Sequence, residues 1–84
     1  MKDKDTIYEI TRMAIQRDPR LSNPGNIIPS VRREGPIFHR HTVVQLDGTV
    51  GSAGEINRVE ELISRELPDV AIENNLVPRP ITEV

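Results

Sequence analysis

The spacing of hydrophobic residues along the chain changes from a helical to a strand period and back, and each change predicts an element. Near the N-terminus, apolar residues at helical spacing predict a first helix over residues 5–18. They are Ile7, Ile10, Ala14 and Ile15. Pro19 ends this helix, because the residue before a proline avoids the helical conformation. A second apolar stripe predicts another helix, which ends near residue 67. It consists of Ile56, Val59, Leu62, Ile63 and Leu67.

Three further segments have the pattern of strands. Residues 27–33 and 37–46 are rich in β-branched residues and are separated by a turn at 33–36, which predicts a hairpin. Pro29 lies within the first strand and has no N–H to donate, so we expect an edge strand or a bulge there. Residues 70–77 alternate between apolar and polar and predict a third strand.

The start of the second helix carries two local signals. Ser52 and Glu55 have the spacing of a capping box, in which the hydroxyl and the carboxylate each accept from the other residue's amide. We expect the Ser52 cap to stabilise the fold by about 1 kcal/mol. Gly48, just before it, predicts a bulge or a bend.

The element order α-β-β-α-β predicts an α+β fold in which two helices pack on one face of a three-stranded mixed sheet. The last two strands flank a helix, and a right-handed crossover makes them parallel. We expect one domain over residues 5–77 and a flexible tail over 78–84, where two prolines break any pattern. The second face of the sheet is expected to stay open.

Composition narrows the classes of function. The chain has 84 residues, no cysteine and no tryptophan, and 36% of its residues are hydrophobic. The absence of cysteine excludes disulfides, thiolate metal sites and a thiol nucleophile. No catalytic sequence motif is present, so we predict no catalytic residues, no cofactor and no enzymatic activity.

Two histidines, His39 and His41, lie two residues apart and would share a face of a strand. A zinc site takes three or four protein ligands, and the sequence offers no third histidine. We therefore interpret the pair as solvated residues and predict no metal site.

No apolar stretch reaches the length of a membrane span, and no apolar segment follows the N-terminal lysines as it would in a signal peptide. The chain as given is therefore expected to be cytoplasmic, or to belong to the envelope if it is a processed or excised piece.

Charge is unevenly distributed along the sequence. Residues 12–42 contain six arginines and two acids, whereas residues 43–84 contain three arginines and eight acids. The hairpin is thus a candidate surface for anionic ligands, although solvated arginines are the simpler interpretation. Its candidate residues are Arg32, Arg33, Phe38, His39, Arg40 and His41. Nucleic acid is a poor match, because the net charge is −2 and no aromatic platform is present for stacking bases.

The open face of the sheet is a second candidate surface. Its outward positions are partly apolar, and such a face can meet a protein partner or a second copy of the chain. The candidates are Val43, Gln45, Ala71, Glu73 and Val77.

The run Val44-x-Leu46-x-Gly48-Thr49-Val50, followed by a helix that opens Ser52-x-x-Glu55, resembles the BON domain of bacterial osmotically inducible periplasmic and nodulation proteins. The strand with Val70, Ile72, Asn74 and Leu76 is similar to the closing strand of that family. The similarity covers roughly residues 6–77.

The sequence also departs from the BON pattern. Asp69 replaces a usual glycine, and the hairpin around residues 34–41 is longer and more basic. The resemblance implies the αββαβ fold and a non-enzymatic binding module, often associated with phospholipid membranes or envelope components. We expect a protein interaction or assembly module, with binding to anionic phospholipid surfaces as the alternative.

Overall fold

The computed structural model describes residues 3–79 of the chain. Two α-helices, a sheet and two short 3-10 turns make up the described part. The helices are α1 (Lys4–Arg17) and α2 (Ala53–Glu66). The strands are β1 (Ile27–Glu34), β2 (His41–Val50), β3 (Ala71–Asn74) and β4 (Val77–Pro78). The 3-10 turns are Pro24–Asn26 and Ile37–His39.

Strand β2 lies at the centre of the sheet. β1 pairs with it antiparallel in an unbroken register, from Ile27 opposite Gly48 to Glu34 opposite His41. β3 pairs with β2 in parallel on its other side, and β4 continues there beside Thr49 and Val50. The α+β class, the mixed sheet and the strand order β1-β2-β3 are therefore confirmed, with the two-residue β4 as an addition.

The core lies between this sheet and the two helices. Alternate residues of β2 point towards the helices, and Val44, Leu46 and Val50 are almost fully buried there. Ile15 of α1 and Ile63 of α2 cover them from the helix layer. Each buried aliphatic side chain of this size contributes about 1.5–3 kcal/mol, so the helix stripes identified in the sequence hold the two layers together.

Pro29 lies in an edge strand, which was one of the two alternatives predicted from the sequence. It lies opposite Leu46 in a register without a bulge. Its ring nitrogen cannot donate, so this side of the residue faces away from β2 and the ladder loses no hydrogen bond.

Several predicted boundaries were wrong. Residues 37–39 were assigned to a strand, but they form a 3-10 turn in which the His39 amide donates to the Pro36 carbonyl at 2.8 Å. β2 therefore starts at His41, and it continues through Gly48 without the predicted bulge.

The predicted third strand is interrupted after Asn74. The Asn74 side-chain oxygen accepts from the Leu76 amide, and the Asn75 amide donates to the Leu46 carbonyl. The chain resumes pairing as β4, which includes Pro78, a residue assigned above to the flexible tail. Arg79, also assigned to the tail, is described as well, and its amide donates to the Val50 carbonyl at 2.7 Å. Residues 80–84 lie outside the described residues.

The predicted capping box at α2 is wrong in its first half. Ser52 is the N-cap, but its side chain makes no capping hydrogen bond. The Glu55 carboxylate instead accepts from the amide of Ser22 at 2.8 Å and from its hydroxyl at 3.2 Å. The loop after α1 lies across the start of α2, so that Ser22 provides an amide and a hydroxyl donor to Glu55. The Ser52 amide also contributes to the lowered pKa of Glu55.

Candidate functional site

The connection between β1 and β2 forms an exposed tip, which we define as residues 35–40. Phe38 is 91% exposed and Ile37 is 75% exposed. Neither belongs to the core cluster, and both precede the exposed residues His39, Arg40 and His41. The tip therefore presents a large apolar surface directly beside cationic and imidazole groups.

The tip has a defined backbone conformation. Gly35 has φ +103°, and a Cβ atom there would lie 2.6 Å from the His39 carbonyl oxygen. Pro36 follows with an extended conformation that leads into the 3-10 turn. A glycine is thus required at the entrance of the turn that displays Ile37 and Phe38.

A groove of about 640 Å³ opens beside the tip, between the start of β2 and the end of α2. Arg40, His41 and Thr42 line it on the strand side, and its apolar walls include Leu67 and Val70. Glu66 and Asp69 also line this groove, so it combines both signs of charge with apolar surface.

Polar side chains connect all three long strands on the open face of the sheet. The Arg32 guanidinium on β1 donates to Gln45 on β2 and to Glu73 on β3, both at 2.5 Å. It also donates to Glu34, and the Gln45 amide donates to Asp47 at 2.7 Å. The hydrogen bonds that Arg32 donates to Glu73 first, and then to Glu34, raise the pKa of Arg32. These bonds commit the guanidinium to intramolecular partners.

The structure separates the six residues predicted to bind an anionic surface. Arg32 lies on the open face with its partners, and the neighbouring Arg33 is on the opposite side of β1. The pKa of Asp3 is lowered mainly by its hydrogen bond with Thr6, and the charge of Arg33 adds a smaller lowering. Four of the six adjoin or lie in the exposed tip. They are Phe38, His39, Arg40 and His41.

The five residues predicted for the sheet face have different environments. Val43 is buried between its strand neighbours Arg32 and Ala71. Gln45 and Glu73 belong to the Arg32 network, whereas Ala71 is exposed. Val77 is 52% exposed.

Ile28, which is not among the predicted surface residues, is 62% exposed opposite Asp47. Ile28 lies between the buried residues Ile27 and Pro29, and its alternate position in an edge strand was the available signal.

Two long-range polar contacts were also missed. Asp18, whose side chain is nearly inaccessible, accepts from Arg58 Nε at 2.8 Å and from the Arg20 amide at 2.8 Å. The Arg20 amide and then Arg58 lower the pKa of Asp18. The second contact joins Glu55 to Ser22, and the Ser22 amide is the main cause of the lowered pKa of Glu55. Both contacts join residues far apart in sequence, so residue spacing contained no signal for them.

The two histidines do not share a strand, because His39 belongs to the 3-10 turn and His41 begins β2. Across residues 3–79, no three His, Cys, Asp or Glu side chains are grouped so that they could hold a metal ion. Within the same range, neither helix has the length and the apolar character needed to cross a bilayer.

No protein-family model matches this chain, and no curated protein matches its sequence. The resemblance to the BON domain therefore stays a prediction, and the fold and the exposed surfaces are the basis for a functional proposal.

Proposed function

We propose that this protein is a non-enzymatic binding module whose hairpin tip attaches to anionic phospholipid surfaces. The observation that carries the proposal is the exposure of Phe38 and Ile37 at one end of the molecule, beside Arg40. Most large apolar side chains of the described residues lie in the core. Two exposed ones in sequence, on a turn with cationic neighbours, are the arrangement of a surface that inserts into an interface.

The expected energetics fit weak and reversible attachment. Full burial of a phenylalanine or isoleucine side chain contributes about 1.5–3 kcal/mol. Each basic residue close to an anionic membrane contributes about 1 kcal/mol. Arg32 is excluded from this estimate because Glu34, Gln45 and Glu73 already occupy its donors. Binding is therefore driven by the apolar tip and strengthened by Arg40, and salt reduces only the second contribution.

The test is co-sedimentation with vesicles of phosphatidylcholine that contain phosphatidylserine, compared with vesicles of phosphatidylcholine alone. We expect the wild-type protein to sediment with the anionic vesicles, and the double variant Ile37→Ser/Phe38→Ser to stay in solution. Ile28→Ser is the matched control, since Ile28 is also exposed but lies on the open sheet face. Equal sedimentation of the tip variant and the wild type would contradict the proposal.

The cationic contribution is tested separately. Arg40→Glu is expected to weaken sedimentation with anionic vesicles, whereas Arg12→Glu, the same charge change on the exposed side of α1, is expected to leave it unchanged. If both variants lose binding equally, net charge rather than the tip determines attachment.

The open sheet face favours a second candidate function, the docking of a protein partner or a second copy of the chain. Ile28 and Val77 are both more than half exposed, and they flank β2 opposite Asp47 and Thr49. Together they leave an apolar border beside the Arg32 network. Light scattering over a range of concentrations tests self-association, and Ile28→Glu/Val77→Glu should shift any dimer to a monomer. A monomeric mass at the highest concentration, with no partner recovered in a pull-down, would argue against this function.

A further inference from the structure

A groove of about 500 Å³ runs between α1 and α2 on the side of the helices that faces away from the sheet. Its floor is apolar and its rim is cationic, and we call it the arginine-rimmed groove. The floor consists of Ile10, Met13, Ala14 and Leu62. The rim contains Arg17, Arg20, Arg58 and Arg65.

The helix periodicity creates this groove. Ile7, Thr11 and Ile15 form the buried face of α1. The groove residues of α1, from Ile10 to Arg17, follow the neighbouring face at helical spacing. On α2, Leu62 lies between Arg58 and Arg65 at spacings of four and three, so the three share one side of that helix. Met13 remains 43% exposed, and its flexible thioether adapts to irregular partner surfaces.

The positive charge of the rim is largely uncompensated. Arg58 forms a salt bridge with Asp18, so the charges of these two side chains compensate each other. The side chains of Arg17, Arg20 and Arg65 form no salt bridge among the residues that the structure describes. Glu66 is the other acidic residue that lines the groove. Three guanidinium groups therefore face one carboxylate around an apolar floor.

We propose that the arginine-rimmed groove binds an acidic amphipathic helix of a partner protein. A rod-shaped ligand fills a groove between two helices, and an apolar stripe on it would cover Met13 and Leu62. Glutamates or aspartates beside that stripe would meet Arg17, Arg20 and Arg65, whose planar guanidinium groups match carboxylates in two-point hydrogen bonding. A flat bilayer would contact the rim and leave the concave floor unfilled, so the shape favours the helix.

This proposal is independent of the function proposed for the hairpin tip. None of the residues that line the arginine-rimmed groove belongs to the tip or to the open sheet face. If both proposals are correct, the protein attaches to an anionic surface with one end and holds a partner helix on its helix layer.

The probe is a fluorescent synthetic peptide of about 15 residues, the length at which an isolated helix becomes marginally stable. It has leucines at helical spacing with flanking glutamates, and the control peptide has lysines in place of the glutamates. Fluorescence anisotropy should show saturable binding of the acidic peptide to the wild-type protein and no binding of the lysine peptide. We expect Arg17→Glu/Arg65→Glu to raise the Kd at least about tenfold, which corresponds to the loss of about one charge-assisted hydrogen bond.

The matched control is Lys4→Glu/Arg12→Glu, which makes the same change in net charge on exposed positions of α1 outside the groove. It should bind the acidic peptide with a Kd close to that of the wild type. Met13→Glu, a single change at the exposed part of the floor, should also weaken binding. These substitutions lie at exposed positions, and circular dichroism of each variant checks that the fold is retained.

Three results would overturn the proposal. They are equal affinity of the groove variant and the control variant, equal affinity for the acidic and the lysine peptides, and the absence of binding to the acidic peptide. Anionic vesicles provide a separate arm, since Arg17→Glu/Arg65→Glu should sediment with them as the wild type does. Loss of vesicle binding in that variant, without loss of peptide binding, would assign the groove to lipid and overturn the helix assignment.

Discussion

The two ends of the β1–β2 hairpin are built in opposite ways, although each contains a glycine at positive φ. At the end of the hairpin that lies over the core, which we call the core end, Gly48 has φ +114° and packs against the backbone of Asn26. At the connecting turn, Gly35 has φ +103° and directs the chain into the exposed tip. One glycine lies where a buried core, a neighbouring strand and a loop fix its position. The other lies where only its own turn constrains it.

This difference indicates where the molecule can carry a binding function without losing stability. The core end is near the contacts of Asp18 with Arg58 and of Ser22 with Glu55, which join the loop after α1 to α2. The tip contributes little to the core, so its side chains can be apolar and exposed at small cost to folding. Loops on rigid scaffolds commonly carry function for this reason. Stability is therefore expected to depend on the core end and binding on the tip.

The largest expected effect is that of Gly48→Val. A Cβ atom at this position would lie 1.9 Å from the carbonyl oxygen of Asn26, and φ is in a region that valine avoids. We expect a loss of more than about 3 kcal/mol in the free energy of unfolding, since β1 or the preceding turn must move. Urea denaturation followed by circular dichroism measures this.

Two further glycine variants provide the controls. Gly54→Ala, in the first turn of α2, would place its new methyl group in ordinary van der Waals contact with Ser52 Oγ at 3.8 Å and should stabilise by about 0.5–1 kcal/mol. Gly35→Ala should destabilise less than Gly48→Val, because the His39 carbonyl belongs to an exposed turn that can shift. If Gly35→Ala were as destabilising as Gly48→Val, the contrast between the two ends would be wrong.

The next effect concerns Asp18 and depends on pH. Hydrogen bonds from the Arg20 amide and from Arg58 hold the pKa of Asp18 below its ordinary value of 3.8. A carboxylate with a lowered folded-state pKa stabilises the fold above its unfolded value, and this contribution is lost as pH falls through the folded value. Asp18→Asn should therefore lower the Tm at pH 7, and the difference from the wild type should shrink as pH falls below 3.8.

Thermal unfolding of both proteins from neutral to acidic pH measures this difference, and Asp69→Asn in the exposed loop before β3 is the control. A difference between wild type and Asp18→Asn that is independent of pH would mean that packing, and not the charge, is what Asp18 contributes.

A smaller effect distinguishes Ser52 from Glu55, the two residues of the predicted capping box at the start of α2. Ser52 forms no side-chain capping bond, so Ser52→Ala should change the free energy of unfolding by less than about 0.5 kcal/mol. Glu55→Gln should cause the larger loss, because it removes the charge that accepts from both the amide and the hydroxyl of Ser22. The reverse order in chemical denaturation would restore the capping box that the sequence suggests.

The same comparison explains how much of the fold could be predicted from the sequence. The helices follow from the local spacing of apolar residues, and the edge position of Pro29 follows from its missing N–H. Both signals can be read from residues close together in the sequence. The alternation of Val70, Ile72 and Leu76 likewise placed these residues on the covered side of the sheet. The elements around the core end of the hairpin were thus largely predictable from the sequence.

The contacts that position the candidate sites were less predictable. Ile37 and Phe38 have high strand propensity, which favoured a strand over the 3-10 turn that follows Pro36. Arg32 looked like an unpaired cation, because its partner Glu73 is 41 residues away and meets it only through the parallel pairing of β2 and β3. The arginine-rimmed groove likewise requires the two helices to be packed side by side before its charges converge.

The smallest expected effect on stability is that of the double variant Ile37→Ser/Phe38→Ser. Both side chains are mostly exposed in the folded protein, so replacing them removes little buried surface, and the free energy of unfolding should stay within about 0.5 kcal/mol of the wild type. Leu46→Ala, a buried residue of the same hairpin, should cost about 2–5 kcal/mol in the same urea titration. A clear loss of stability in the tip variant would show that Phe38 packs against the protein in solution. The tip would then not be available as a binding surface. Unchanged stability together with lost vesicle binding would separate the two ends of the hairpin into a structural part and a binding part.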